Sequence, residues 1–337
     1  LIREMSHEDF EIFVLRIHQP DDDVATAIAG AADATIDLAN DFEKARQQIA
    51  DCELDILIYT DLGMDHFTYF LAFARLAPVQ CVLAGHPITS GVAAIDYFIS
   101  NDAMEPPDAA DHYRERLIRL RGLMTRLARP QPPRIARIRE ACGIRDNTNL
   151  YLCPQTLFKL HPDFDAIVGE ILRRDPLGVL LLFHAESLDW SELLQKRMQR
   201  TIPDVASRIA WRRRMPMPDF LALTAQADVM LDTPHFNGGT TSMLALALGT
   251  PIVTMPGPYM RGRTTLFCYQ QMGTADLVAK TPADYVRIAH DIAKHRDQRD
   301  LLRRQLIAAS SCLFECESVV PEFEDCLREI FDLRCVG

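Results

Sequence analysis

Positive charge is in short supply. The 337 residues include 36 Lys and Arg against 47 Asp and Glu, a formal net charge of −11. A chain so balanced has little with which to neutralise a nucleic-acid backbone, which argues against a general nucleic-acid binder. The local run "WRRRMP" at 211–216 is an exception and reads as a solvated edge. No stretch of eighteen apolar residues occurs, so no transmembrane helix and no membrane partner are expected. The opening "LIREMSHEDFEIFVLRI" lacks the layout of a signal peptide. It reads like the middle of a domain, so the sequence is expected to be a fragment of something longer. The nine cysteines are odd in number and form no CxxC pair. That spread fits a reducing cytoplasm rather than a disulfide framework. Glycine is sparse as well, 15 in all, so an adjacent pair stands out.

What is present is an alternation of strand-like and helix-like runs. In the first hundred residues, 11–17, "DILIYT" (55–60) and "VQCVLA" (79–84) read as strands. Residues 21–31, 41–51 and 68–75 read as helices. Alternation of this kind implies a parallel sheet with crossover helices. Three prolines in "RPQPPRIAR" (129–137) mark the clearest shift in composition, and the pattern restarts beyond them. Strands are expected at 149–153, 178–183, 208–211, 228–231 and 251–255, with helices between them. The fold class is therefore α/β, with two doubly wound lobes facing a cleft. The expected division is an N-terminal lobe over 1–130, a linker over 131–148 and a C-terminal lobe over 149–315. A last helix is expected within 316–337.

One stretch carries chemistry: "HFNGGTTSMLALALGTPIVTMPG", residues 235–257. Its order is strand, glycine loop, helix, strand. Many such turns contain glycine only because the chain must turn tightly. Two hydroxyls follow these glycines directly, and Thr240 and Thr241 can cap the helix and donate to an anion. Backbone amides at a helix N-terminus hold phosphates in this arrangement.

The same stretch, from Asp232 onward, resembles the nucleotide-sugar site of the O-GlcNAc transferase (SPINDLY-like) family of GT-B protein glycosyltransferases. "YLCPQTLFKLHPDFDAIVGEILRRDP" resembles that family's strand–loop–helix with a phosphate-binding lysine. "ARLAPVQCVLAGHPITSGVAAIDYFIS" resembles its N-lobe segment, and "MRGRTTLFCYQQMG" (260–273) its bacterial members. The resemblance runs from about residue 8 to residue 315. It implies two Rossmann-like lobes, with the donor held mainly by the C-terminal one. It also implies inverting transfer of a sugar, GlcNAc first, from a UDP-sugar to Ser or Thr of an acceptor protein. No metal or other cofactor is implied. Tetratricopeptide repeats usually precede the catalytic lobes, and here both they and the family's first N-lobe strand are missing, as expected of a fragment whose acceptor-side lobe is incomplete.

Carried onto this sequence, the resemblance places Lys159 on the donor diphosphate, where a cation offsets the charge gathering on the leaving group. The same diphosphate would meet Asn237, Gly238, Gly239, Thr240 and Thr241. Gln155, Arg214, Met215 and Asp232 fall on the nucleotide, although Asp232 at a strand end equally suits a structural turn. Arg261 and Arg263 are candidates for the sugar or the phosphate, or for pairing with acidic residues elsewhere. His86, in "GHP" after a strand, is the candidate acid–base group, since the histidine of a matching "GHP" is tied to catalysis in an asparagine-glucosylating branch. A histidine capping a turn is the plainer alternative. His66, His161 and His235 have weaker claims. Leu244 stands where the family usually carries an acid that accepts from the ribose. That leaves open another donor, UDP-glucose or a CMP-linked sugar, and a catalytically silent protein-binding scaffold.

Overall fold

The structure is a computed structural model, and it describes all residues except 18–21, 84, 132–136, 187, 315, 336 and 337. The proline cluster of the expected linker falls largely on 132–136, outside the described residues. So do the start of the helix expected at 21–31 and the last residue of the strand expected at 79–84.

The chain divides into two compact units, Leu1–Arg126 with Cys316–Gly337, and Leu127–Glu315. The first opens with β1 (Phe13–Arg16), α1 (Asp23–Ala29), β2 (Ala34–Asp37) and α2 (Phe42–Ala50), and β1 and β2 pair in parallel as a two-stranded sheet. It continues through β3 (Ile56–Tyr59), α3 (His66–Leu71), β4 (Val79–Leu83), β5 (Tyr97–Asn101) and β6 (Arg116–Leu120). These four strands form a parallel sheet in chain order. Each of α1, α2 and α3 starts on an aspartate, Asp22, Asp41 or Asp65, whose carboxylate accepts from a first-turn amide.

The second unit holds α4 (Ile138–Ala141), β7 (Asn149–Leu152), α5 (Asp163–Arg174), β8 (Gly178–Phe183), α6 (Leu188–Thr201), β9 (Ile209–Arg212) and α7 (Met217–Gln226). Then come β10 (Val229–Leu231), α8 (Thr240–Ala247), β11 (Ile252–Val253), α9 (Thr264–Gln271), α10 (Pro282–Lys294) and α11 (Arg296–Ala309). Its five-stranded parallel sheet has the order β11-β10-β7-β8-β9. The chain builds outward from β7 through β8 to β9, then returns to the other side of β7 for β10 and β11. The direction of winding therefore reverses between β7 and β10, and ligands of open α/β sheets bind at the carboxyl ends of such a pair. Leu150, Tyr151, Leu152, Val229 and Met230 are fully buried, as expected of central parallel strands covered on both faces.

The closing helix α12 (Val319–Cys335) belongs to the first unit. Its Val320, Phe323, Cys326, Leu327 and Ile330 share a core with Val79, Cys81, Ile99 and Leu120 of the four-stranded sheet. The Glu322 carboxylate accepts from the amides of Arg121 and, at 3.0 Å, Gly122 just beyond β6.

Candidate functional site

Two loops leave the carboxyl ends of β7 and β10. The first runs from Cys153 to Pro162 through a short 3-10 turn at Leu157–Lys159. The second runs from Asp232 to Gly239 and delivers α8. They meet at Lys159, whose Nζ donates to the Asn237 carbonyl at 2.9 Å and lies 4.2 Å from the centre of the Phe236 ring. Burial pulls the Lys159 pKa below its ordinary value, and the nearby Asp232 carboxylate opposes that shift. A second tie joins the loops where Gln155 Nε2 donates to Thr241 Oγ1 at 3.3 Å.

The glycine loop is held from behind by Asp232, which is completely buried. Its Oδ1 accepts from the Gly238 amide at 2.9 Å and its Oδ2 from the Thr254 hydroxyl at 2.8 Å. Both oxygens are thus engaged inside the protein, and Asp232 shapes the loop instead of facing a ligand. Asn237 is buried too: its side-chain amide donates to the Thr233 carbonyl at 2.9 Å and its backbone amide to the Arg261 carbonyl at 2.7 Å.

The two glycines differ. A Cβ on Gly238 would meet Gln155 Nε2 at 2.5 Å, Ser242 Oγ at 2.6 Å and Thr241 Oγ1 at 2.7 Å. A Cβ on Gly239 would meet nothing within 4 Å, so the backbone there borders open space. Gly239 is the N-cap of α8 and no side chain caps the helix, which corrects the expectation that Thr240 or Thr241 does so. The Gly239 carbonyl accepts from Ser242 and Met243 at 3.0 and 3.3 Å. The amides of Thr240 and Thr241 are among those a helix leaves without an intrahelical partner. This is a cradle of backbone donors with a lysine beside it, suited to a multiply charged anion.

The remaining candidates lie around it. The Arg261 guanidinium stacks over Tyr259, 4.9 Å from the ring centre, and Arg263 Nη1 donates to the Gly257 carbonyl at 3.3 Å. Arg214, beyond β9, is exposed and pairs with Glu186 at 3.3 Å, while Met215 packs partly against a core of β7 and α7 residues. Leu244 is half-buried on α8. Sequence reading missed the aromatic flank: Phe158, 57 % exposed, contacts Trp190, 50 % exposed, and Phe236. Their spacing in the sequence carries no periodic signal.

His86 belongs to the first unit, in the loop after β4. The ring lies against Gly63, whose φ of +91° favours glycine and where a Cβ would come 2.9 Å from His86 Cδ2. Glu115, 4 % exposed, anchors the same loop by accepting from the Thr89 hydroxyl at 2.6 Å and the Ser90 amide at 2.8 Å. No sequence signal singled out Glu115.

A profile of glycosyl transferase family 41 matches residues 130–323, more than half of the chain. The chain belongs to this family. A probable UDP-N-acetylglucosamine–peptide N-acetylglucosaminyltransferase, SPINDLY, from Oryza sativa subsp. japonica is 24 % identical over 307 residues, covering 88 % of this chain and 32 % of the relative. The Caenorhabditis elegans UDP-N-acetylglucosamine–peptide N-acetylglucosaminyltransferase is 30 % identical over 177 residues, 52 % of this chain and 15 % of that one. This family 41 chain thus spans about a third or less of the length of the curated relatives it matches. Among solved structures, a mutant of the Thermobaculum terrenum O-GlcNAc transferase superposes with a TM-score of 0.84 at 25 % identity, over 99 % of this chain and 64 % of that one. Anabaena HepE, solved with UDP and glucose, shares the fold with a TM-score of 0.61 at 12 % identity, over 94 % of this chain and 100 % of its own. The family 41 fold is GT-B, built of Rossmann-like lobes.

Proposed function

We propose that this chain is the catalytic region of an inverting protein glycosyltransferase. It moves a sugar, GlcNAc first, from a UDP-sugar to Ser or Thr hydroxyls of an acceptor protein. The observation that carries this reading is the meeting of Lys159 with the glycine loop at the point where the second unit's sheet reverses. Relatives named as peptide N-acetylglucosaminyltransferases supply the choice of sugar and acceptor.

In the reaction, the acceptor oxygen attacks the anomeric carbon while the bond from that carbon to the phosphate oxygen breaks. Negative charge gathers on the departing diphosphate. Lys159 and the amides of Gly239, Thr240 and Thr241 are assigned to that charge, where fixed donors stabilise the transition state without reorganising. Asp232, Asn237 and Gln155 position these donors. Arg261 and Arg263 remain candidates for further contact with the sugar or phosphate. Arg214 and Met215 are assigned to the nucleotide. His86 is proposed on its own loop's merits as the group that takes the acceptor proton. We assign the reaction to the cytoplasm, because Cys81, Cys142, Cys153 and Cys268 are free thiols in the folded chain. Tetratricopeptide repeats are proposed to precede this region in the full-length protein.

Leu244 favours a second reading. Half-buried in the helix that follows the glycine loop, it offers no acceptor to a ribose, so another nucleotide becomes conceivable in the same cradle. Calorimetry with UDP, GDP and CMP separates the two. UDP is expected to bind, and Lys159→Ala to weaken it by about ten- to a hundredfold with uridine unaffected, because charge-assisted phosphate contacts are worth roughly 1.5–3 kcal/mol. Unchanged UDP affinity in that variant would refute the diphosphate site. Binding without sugar transfer would leave a scaffold.

A further inference from the structure

The loops that carry Lys159 and Asn237 also carry His161 and His235, and Asp163 opens α5 between them. Among the described residues these three form a group whose ligand atoms all lie within 4.8 Å of one another. We propose that His161 Nδ1, the Asp163 carboxylate and His235 Nε2 bind a divalent transition-metal ion of the Zn²⁺ class, which cross-links the two loops beside the anion cradle.

The distances match a coordination shell. Asp163 Oδ2 lies 3.0 Å from His235 Nε2 and 3.3 Å from His161 Nδ1. Metal–ligand bonds of about 2.0–2.1 Å give ligand-to-ligand edges of about 2.9 Å in an octahedron and about 3.3 Å in a tetrahedron. Proton bookkeeping points the same way. The Asp163 amide donates to His161 Nδ1 at 3.3 Å, so that nitrogen presents a lone pair and has no proton to give the carboxylate. Two lone-pair atoms therefore face each other at 3.3 Å, an arrangement a cation resolves.

The backbone adds an independent observation. His235 has φ +70°, one of two non-glycine residues with positive φ among those described. Such a conformation costs free energy and persists where the surroundings demand it. Here it brings the His235 ring to 4.6 Å from that of His161, edge to face. Two imidazoles and one carboxylate select Zn²⁺, Co²⁺, Ni²⁺ or Cu²⁺ over Mg²⁺ and Ca²⁺, which prefer oxygen. Asp163 also offsets the positive end of α5, which by itself would repel a cation. All three side chains are exposed, so the ion has an entry path and its remaining positions face solvent.

The test is a calorimetric titration of the nucleotide-free protein with Zn²⁺ in excess Mg²⁺, repeated with Co²⁺ to read the visible spectrum of an imidazole-bound ion. One saturable site is expected, with a rise in thermal midpoint on Zn²⁺ addition. His161→Ala and His235→Gly should each weaken Zn²⁺ by about tenfold or more and abolish the thermal shift. Glycine is chosen at 235 because it accepts the left-handed backbone and removes only the ligand. His7→Ala, which removes another exposed His–Asp pair, should change nothing. No saturable uptake, or uptake indifferent to both replacements, overturns the site. Because no nucleotide takes part, that failure would leave the transferase reading standing.

Discussion

Complete burial pushes the Asp232 carboxyl up to about 6, against the opposing pull of Thr265, the Gly238 amide, Thr254 and Lys159. In an unfolded chain an aspartate titrates near pH 3.9. Between about pH 4 and 6 the folded state therefore holds a proton that the unfolded state has lost. The contribution to stability is largest below about pH 4 and declines as pH rises through about 6, by roughly 3 kcal/mol in all. Urea denaturation of Asp232→Asn is expected to show a flatter dependence between pH 4 and 7 than the parent; parallel curves would remove Asp232 as the source. The adjacent glycines make a contrasting pair. Gly238→Ala forces a Cβ into Gln155, Ser242 and Thr241 and should lower both the unfolding midpoint and UDP affinity. Gly239→Ala meets no protein atom, so its midpoint should stay close to the parent's while UDP binding weakens. Equal thermal losses in the two variants would contradict this steric distinction.

Strands β7 and β10 are locked together at the ends remote from the cradle. Asp228, just before β10, accepts from the Leu150 amide at 2.7 Å, from Arg139 of α4 at 3.1 Å and lies 2.9 Å from Arg299 of α11. The three side chains are nearly buried, 9 % exposed for Asp228 and Arg299 and 17 % for Arg139. Removing one member of such a network leaves charges without partners, at a cost of about 3–5 kcal/mol. Asp228→Ala should therefore lower stability by that order in chemical denaturation. Its folded fraction should bind UDP as the parent does, because Asp228 lies at the amino ends of the strands and the cradle at their carboxyl ends. A stability loss under about 1 kcal/mol would show the network to be dispensable.

The last seventeen-residue helix, α12, completes the core of the unit that begins the chain. Phe323 is 4 % exposed within that core. Phe323→Ala should cost the first unit about 3–5 kcal/mol through lost burial and the cavity left behind. Scanning calorimetry should then show an earlier transition, with UDP affinity below that transition unchanged, since the cradle residues all come from the second unit. Loss of UDP binding in the folded variant would require a contribution from the first unit to the nucleotide site.

Much of the candidate site could be read directly from residue order. A β-branched run followed by glycines, hydroxyls and an Ala/Leu helix specifies a strand, an anion-binding turn and a helix through local chemistry. Lys159 in a loop after "NLYLC" was legible for the same reason. Strands β2, β5 and β6 were not: "ATID" is short, and "RLIRL" in β6 mixes arginines with apolar residues, so neither gives a clean period. Their pairing comes from neighbouring strands, which a local pattern does not contain. The strand order was also beyond local reading. Lys159 and Asn237 are 78 residues apart and meet because the chain crosses back over β7 after building β8 and β9. Burial of Asp232 and the convergence of His161, Asp163 and His235 follow from that crossing. Local sequence specifies which groups stand at strand ends; packing of the whole sheet decides which ends are neighbours, and hence which groups share a charge, a proton or an ion.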